Sequence, residues 1–197
     1  MRHSRISLCV GRVGAPGGSM NITVFLGSGM GNDPRLAEAA GELGQWIAQS
    51  GHTLVYGGSG SGLMGILARS ALKAGGPVIG VEPQMFVDEK RELKGLTQLI
   101  VTGDMAQRKA EMIKLGDAFI AFPGGTGTLE EIGEVMSRLS MKQLQAPCIL
   151  YDLDGYYAGM RQLLDSMLEK GLSDPDRLAN IRFAKDLNEI VGILNGI

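Results

Sequence analysis

The chain has 197 residues, 44% of them hydrophobic and 20% charged, so it is long enough for one domain with a sizeable core. Its formal net charge of -2 gives no broad basic surface, which argues against a polymeric nucleic acid as partner. No apolar run approaches the roughly 20 residues that a membrane-spanning helix needs.

Residues 1–20 differ in composition from the rest of the chain. They contain arginines but no acidic residue, and they end in a stretch rich in glycine and serine. Arg12 interrupts any apolar region, which argues against a secretory signal. We interpret these residues as a leader, an expression remnant or an upstream start before Met20, and we expect them to be disordered. The folded domain is predicted to occupy residues 21–197.

From residue 21 onwards, short β-rich runs alternate with longer helical patterns. Residues 22–26 predict a buried strand, and Asp33-Pro34 then supplies an N-cap with proline at the first helical position of a helix that ends at Gly51. The later strands are predicted at 53–56, 77–81, 96–101, 118–122, 148–151 and 181–183. The later helices are predicted at 62–74, from the Asp104 cap to about 115, from the loop at 123–128 to about 139, at 156–170 and at 187–194. This alternation predicts a single Rossmann-like α/β domain with a doubly wound parallel sheet.

Three glycine-rich loops follow predicted strands. They are GSGMG at 27–31, GGSGSGLMG at 57–65 and PGGTGT at 123–128. In a doubly wound sheet such loops meet at the carboxyl ends of the strands, where ligands bind. Glycine lets main-chain N–H groups approach an anion closely, and each following helix adds partial positive charge. The loops therefore predict a phosphate-containing ligand, although no GK[ST] sequence of a P-loop NTPase follows any of them.

The second loop also fits a dinucleotide-binding fingerprint. Gly60, Gly62 and Gly65 satisfy G-x-G-x-x-G, and Glu82 follows about twenty residues later. The pattern follows the second predicted strand rather than the first, and a glycine-rich chain matches it easily. A dinucleotide-binding oxidoreductase is therefore the less favoured alternative.

Glu131 has two interpretations. The sequence Thr128-x-x-Glu131 fits a capping box at a helix N-terminus. A cap alone does not need the preceding PGGTG, however, so the glutamate is also a candidate site residue. In the first helical turn its ionised form is favoured by the helix dipole. An ionised carboxylate suits the oxocarbenium-like charge that develops when an N-glycosidic bond breaks.

Arg108 and Lys109 lie in GDMAQRKAEM, at the start of a predicted helix. Adjacent helical residues point about 100° apart, so the two side chains need not share a role. One can contact a ligand while the other contacts solvent or a partner. A fully solvated basic face is the alternative.

These motifs together resemble those of the Lonely Guy family, the cytokinin riboside 5'-monophosphate phosphoribohydrolases. The motifs are DMAQRK, PGGTGTLEE, YGGSGSGLMG and DGYY, and the resemblance covers roughly residues 21 to 195. It implies hydrolysis of an adenosine 5'-monophosphate, often N6-substituted, to free base and ribose 5-phosphate. It also implies a homodimer or larger homo-oligomer with the site near the subunit interface.

The resemblance also assigns roles to single residues. Arg108 and Glu131 would be the catalytic pair, with no metal and no cofactor. The expected substrate-binding residues are Gly27, Ser28, Gly57, Gly58, Glu92 (or Glu89), Lys109, Gly124, Gly125, Thr126, Gly127, Thr128 and Ser137. Two positions depart from the family: Arg138 stands where plant-like members have tryptophan, and Glu82 where they have an aliphatic residue. The base pocket is therefore expected to differ.

The cysteines and several methionines have simpler explanations than a role in a functional site. Cys9 and Cys148 have no metal or redox spacing and are interpreted as inert thiols in a reducing cytoplasm. Met105, Met112, Met136 and Met141 are predicted to lie in the core or a subunit interface, with a pocket for a prenyl group as the alternative.

Two further functions are considered. A non-catalytic nucleotide carrier or sensor would need only the glycine-rich loops. Relatives of this family are often labelled lysine decarboxylases, but the sequence signals neither a Schiff-base lysine nor an acidic partner for a pyridoxal ring.

Overall fold

The computed structural model describes residues 18–196 and consists of strands and helices in alternation. The strands are β1 (Asn21–Phe25), β2 (Thr53–Tyr56), β3 (Val78–Pro83), β4 (Gln98–Thr102), β5 (Ala118–Ala121), β6 (Cys148–Tyr151) and β7 (Ile181–Ala184). The helices are α1 (Pro34–Gln49), α2 (Gly62–Lys73), α3 (Gln84–Asp88), α4 (Met105–Leu115), α5 (Thr126–Ser140), α6 (Ala158–Glu169), α7 (Pro175–Leu178) and α8 (Leu187–Asn195). A 3₁₀ turn covers Leu153–Gly155.

All seven strands form one parallel sheet in the order β4-β3-β2-β1-β5-β6-β7. The chain moves outward from β1 to β4, returns to the other side of β1, and then moves outward again from β5 to β7. The predicted doubly wound sheet is therefore confirmed. Strand order reverses between β1 and β5, so the ligand crevice is expected beyond the carboxyl ends of these two strands.

Each face of the sheet is covered by its own apolar layer. Along β1, Ile22 and Val24 pack into the layer that contains Leu43 of α1, while Phe25 packs into the layer that contains Ile132 of α5. The alternation follows from the two-residue period of a strand. The two layers hold the strand ends, and the loops that leave them, in fixed positions.

The differences from the predicted elements are local. The helices α3 and α7 and the 3₁₀ turn were not predicted, because segments of three to five residues show no helical periodicity. Strand β3 runs two residues beyond its predicted end, to Pro83, and so includes Glu82.

The predicted leader lies outside the described residues except for its last three. There, the main-chain N–H of Thr53 donates to the carbonyl of Met20 at 2.8 Å. Cys9 also lies outside the described residues. The assignment of residues 1–20 and 21–197 to a leader and a domain stays a prediction.

Candidate active site

A cavity of about 310 Å³ lies at the carboxyl ends of the strands. Loops after β1, β2 and β5 line it, which are the three glycine-rich loops of the sequence. Of the predicted site residues, it is lined by Gly27, Ser28, Gly57, Arg108, Gly125, Thr126, Gly127, Thr128 and Glu131. The structure thus brings together residues that lie more than 100 positions apart in the chain.

Arg108 and Glu131 form a buried ion pair in this cavity. Nη1 of Arg108 lies 2.8 Å from Oε1 of Glu131, and each residue is only 5% exposed. The guanidinium also donates from Nε to the carbonyl of Val81 at 3.0 Å and from Nη2 to the carbonyl of Gly57 at 3.4 Å. Helix α4, strand β3 and the loop after β2 therefore fix the arginine that faces Glu131.

Gly57 is required for this arrangement. A Cβ atom at this position would lie 2.0 Å from Nη2 of Arg108. Any other residue would therefore displace the guanidinium from its place beside Glu131. The glycine interpreted as part of a phosphate loop has a second role, which is to leave room for an arginine.

The structure corrects the capping-box interpretation. Helix α5 begins at Thr126 with Gly125 as its N-cap, so Thr128 is the third helical residue and Glu131 lies in the second turn. From this position the side chain of Glu131 accepts a hydrogen bond from Arg108 and does not reach back to the helix N-terminus. The helix terminus was also expected to favour the ionised form of Glu131, but the net effect of its surroundings is the opposite. Burial raises the pKa of Glu131, and the Arg108 guanidinium partly offsets this effect.

The N-terminus of α5 has main-chain donors that an anion could use. Its first N–H groups have no intrahelical acceptor, and the Gly125 N-cap supplies no side chain to satisfy them. The loop also approaches the loop after β1 closely, because a Cβ at Gly124 would lie 3.0 Å from the main-chain nitrogen of Gly27 and 2.2 Å from Oγ1 of Thr128. The loops after β1 and β5 therefore lie against each other where they line the cavity.

Two tyrosines support this loop from outside the cavity. The hydroxyl of Tyr156 donates to the carbonyl of Gly124, and that of Tyr157 donates to the carbonyl of Phe122 at 2.9 Å. The N–H of Tyr157 in turn donates to Oδ1 of Asp152 at 2.6 Å. The DGYY motif contributes to the family resemblance, but nothing local in its sequence indicated that its tyrosines support this loop.

Lys109 is not among the residues that line the cavity. Its amino group pairs with the carboxylates of Glu130 and Glu134 on α5, and Glu134 also pairs with Arg138. The adjacent Arg108 and Lys109 thus have different partners, as the helix geometry predicted. Arg138 stands in an ion-pair network rather than in the cavity lining, and a role of Lys109 at the phosphate stays a prediction.

Three other predicted residues lie at or beyond the edge of the cavity. Gly58 has a φ of +84° and packs against the side chain of Glu82, behind the lining. Glu92 forms an ion pair with Lys94, and Ser137 lies on the exposed surface of α5. Substrate contacts by these residues stay predictions.

The remaining wall of the cavity was not predicted as a group. Its members are Leu26, Ser59, Met64, Glu82, Phe86, Arg91, Met105 and Glu130. Among them, the guanidinium carbon of Arg91 lies 4.9 Å from the centre of the Phe86 ring. Phe86 and Arg91 lie on and just after the unpredicted helix α3, so no periodicity could indicate them.

The four methionines that were considered together have separate environments. Met112 is buried in the core, and Met136 packs against the same apolar layer. Met105 lines the cavity, whereas Met141 is exposed at the end of α5. Met112 and Met136 fit the prediction of a core position, Met105 fits the alternative of a pocket, and an interface position of Met141 stays a prediction.

Within residues 18–196, no group of three or more histidine, cysteine, aspartate or glutamate side chains is arranged to hold a metal ion. None of the helices described there is both long and apolar enough to cross a bilayer. Burial raises the pKa of Cys148 to about 12, so this thiol stays protonated at neutral pH.

Comparison with known proteins gives a consistent set of relatives. The family model described as "Possible lysine decarboxylase" matches residues 64–194. A protein of Rhodococcoides fascians named cytokinin riboside 5'-monophosphate phosphoribohydrolase is 38% identical over 175 residues, which cover 88% of this chain and 88% of the relative. A protein of Arabidopsis thaliana with the same enzyme name is 40% identical over 172 residues, which cover 86% of this chain and 80% of the relative.

Solved structures share the fold. A molybdenum cofactor binding protein from Rippkaea orientalis has a TM-score of 0.67 at 25% identity, and the match covers 90% of this chain and 96% of that one. The molybdenum cofactor carrier protein from Chlamydomonas reinhardtii has a TM-score of 0.68 at 21% identity, covering 91% of this chain and 99% of that one. At 21% identity, the likeness to the carrier protein shows only that the two chains share a fold.

Proposed function

We propose, from the premise that this chain belongs to the Lonely Guy family of cytokinin riboside 5'-monophosphate phosphoribohydrolases, that it hydrolyses the N-glycosidic bond of adenosine 5'-monophosphates. The substrates include N6-substituted forms, and the products are the free base and ribose 5-phosphate. The observation that carries the proposal is the buried Arg108–Glu131 pair, which faces the same cavity as the N-terminus of α5.

The phosphate of the substrate would bind at the N-terminus of α5. Main-chain N–H groups of residues 125–128 and the hydroxyl of Thr128 supply donors there, and Gly27 and Ser28 supply the opposite wall. The partial positive charge of the helix end adds to these hydrogen bonds. Binding at this end fixes the ribose next to the catalytic pair, since a 5'-phosphate is only one ester link from the sugar.

Glu131 would then stabilise the developing ribosyl cation. When the bond between C1' and the base nitrogen breaks, its electron pair leaves with the base and positive charge spreads over C1' and the ring oxygen. Water adds to C1', and its proton balances the charge on the departing base. A carboxylate held beside this centre lowers the energy of the transition state and orients the water.

Arg108 would support the same step in two ways. Its guanidinium opposes the effect of burial on the pKa of Glu131 and so favours the carboxylate form. It also places positive charge in the cavity, where it can stabilise the base as electrons move onto it, or hold the ribose phosphate. Both roles need the guanidinium in the position that Val81 and Gly57 define.

Other activities have less support in the site. No lysine is among the residues that line the cavity in the described part of the chain, so it offers no amine for a Schiff base of the kind that a pyridoxal-dependent decarboxylase uses. A non-catalytic nucleotide carrier is the second candidate, because a cofactor-binding protein shares the fold at 25% identity. A carrier breaks no bond in its ligand, so it does not need a buried arginine–glutamate pair beside the ligand.

The proposal also covers assembly and location. We expect a homodimer or larger homo-oligomer in the cytoplasm, with the site near the subunit interface. The exposed apolar side chains of Leu129 on α5, the helix that carries Glu131, and of Met141 directly after it support an interface there. Light scattering during gel filtration measures the mass directly.

The experiment is incubation of the purified protein with AMP, N6-isopentenyl-AMP, GMP, CMP and NAD, followed by chromatography of base and ribose 5-phosphate. Glu131→Ala is the test variant, and Glu169→Ala, at an exposed carboxylate on α6, is the matched control. Base release by the wild type and the control but not by Glu131→Ala supports the proposal. Binding of AMP without base release would indicate a carrier, and binding of NAD alone would favour the dinucleotide alternative.

A further inference from the structure

Glu82 is a buried carboxyl group without a hydrogen-bond partner. It lies at the end of β3, is 1% exposed, and lines the cavity. Its Oε2 atom is buried and accepts no hydrogen bond from the described residues. A polar atom left unpaired in a protein interior is destabilising, and because Glu82 lines the cavity, a bound ligand can supply the missing partner.

The backbone around Glu82 leaves room for its carboxyl group. Gly58 has a φ of +84°, and a Cβ there would lie 2.8 Å from Oε2 and 2.9 Å from Cβ of Glu82. The loop after β2 therefore passes directly against the glutamate side chain.

The position of Glu82 places it at the base end of a bound nucleotide. Strands β5, β1, β2 and β3 are consecutive in the sheet, so the ends of β5 and β3 are about 14 Å apart at about 4.8 Å per strand. The phosphate end lies at the start of α5, directly after β5. Phe86, on the helix that follows β3, lines the cavity as well and offers an aromatic surface for a base.

We propose that Glu82 is a specificity-determining residue that binds the edge of an aminopurine base as a neutral carboxylic acid. Its O–H donates to a ring nitrogen, and its carbonyl oxygen accepts from the adjacent exocyclic N–H. This inference rests on the proposed function and narrows it to purines whose N7 edge presents an acceptor beside an N–H donor. Adenine has that pattern at N7 and N6, whereas guanine presents two acceptors, N7 and O6, on the same edge.

The surroundings of Glu82 favour the neutral form. Burial raises its pKa, the Arg108 guanidinium lowers it, the nearby Glu92 carboxylate raises it and the Arg91 guanidinium lowers it, and the net result is a pKa of about 7. The hydroxyl of Tyr56 is also close, but it donates to the carbonyl of Gly58. A ligand that excludes water from the cavity would favour the neutral acid more strongly.

Two variants separate this role from a structural one. Glu82→Gln keeps one donor and one acceptor but does not titrate, whereas Glu82→Leu removes both. The measurements are kcat and KM for AMP, N6,N6-dimethyl-AMP and GMP at pH 6 and pH 8, with folding checked by circular dichroism. N6,N6-dimethyl-AMP keeps the ring nitrogens but lacks the N–H donor.

We expect the wild type to prefer AMP over both analogues by tenfold or more at pH 6, with a smaller preference at pH 8, where Glu82 ionises. Glu82→Gln should keep the preference at both pH values. Glu82→Leu should lose it, with a raised KM for AMP and a kcat within about threefold of the wild type. An unchanged AMP to GMP ratio in Glu82→Leu would overturn the inference, as would a pH dependence in Glu82→Gln equal to that of the wild type.

Failure of the proposed function is distinguishable from failure of this inference. If the wild type releases no base from any nucleotide, the hydrolase proposal fails, and calorimetric binding of AMP and GMP to the wild type and Glu82→Leu then tests Glu82 alone. A preference for AMP that Glu82→Leu abolishes supports the role of Glu82. Equal binding of AMP and GMP by the wild type refutes it.

Discussion

Replacing Glu82 by glutamine should make the stability of the protein less dependent on pH. Burial raises the pKa of this carboxyl from its ordinary 4.5 to about 7. Between these two values the folded protein therefore keeps a proton that the unfolded chain has released. The free energy of unfolding of the wild type should then fall as pH rises from about 4.5 to about 7, and the contribution of Glu82 should level off above that.

The magnitude follows from the difference between the two pKa values. At 1.36 kcal/mol for each pKa unit, the change from 4.5 to about 7 corresponds to about 3 kcal/mol in total, and most of it falls between pH 5 and pH 8. The whole pKa difference is converted to free energy because the Glu82 side chain is almost completely buried and is not screened by solvent. Glutamine has the same shape and no charge, so Glu82→Gln should be about 2 to 3 kcal/mol more stable than the wild type at pH 8 and nearly equal to it at pH 5.

Urea unfolding followed by circular dichroism at pH 5, 6, 7 and 8 measures this difference directly. Glu169→Gln is the matched control, because Glu169 is exposed at the end of α6, and its curve should run parallel to that of the wild type. Parallel curves for Glu82→Gln and the wild type would refute the reasoning, since they would mean that the folded and unfolded states release the Glu82 proton at the same pH.

Three other substitutions test the site. Glu131→Ala should abolish base release and destabilise the fold by about 3 to 5 kcal/mol, because it leaves the buried Arg108 guanidinium unpaired; a urea midpoint equal to that of the wild type would contradict this. Gly57→Ala should lower kcat by tenfold or more with the fold retained, since its Cβ would lie 2.0 Å from Nη2 of Arg108, while Gly192→Ala, which meets nothing within 4 Å, should leave kcat unchanged. Tyr157→Phe should cost about 1 kcal/mol by removing the hydroxyl that supports the carbonyl before the phosphate loop, and thermal unfolding with a wild-type midpoint would count against that role.

The fold could be predicted from the sequence because its signals are local. Asp33 and Asp104 cap helices α1 and α4 with their own side chains, as their positions in the sequence indicated. The two-residue and 3.6-residue periods of the apolar side chains distinguished strands of four to six residues from helices of nine residues or more. Alternation of the two then left a parallel sheet as the only common arrangement.

The pattern around Glu131 shows where local signals are insufficient. Thr128 and Glu131 have the spacing of a capping box, yet the helix begins two residues earlier and the glutamate pairs with Arg108, 23 residues away in the chain. The ion pair forms because α4 and α5 pack on the same face of the sheet. A capping motif describes one helix end and carries no information about a neighbouring helix.

The sequence by itself determined the order of strands and helices, the three glycine-rich loops and the family to which the chain belongs, since these depend on residues that are close together in the chain or on motifs that can be matched directly. Only the tertiary structure decided that Lys109 faces Glu130 and Glu134, that two tyrosines hold the loop before α5, and that Oε2 of Glu82 finds no hydrogen-bond partner among the described residues. The physical reason is that hydrogen bonding, desolvation and charge at these positions depend on which side chains the sheet brings within a few ångströms, and those partners lie far apart in the sequence.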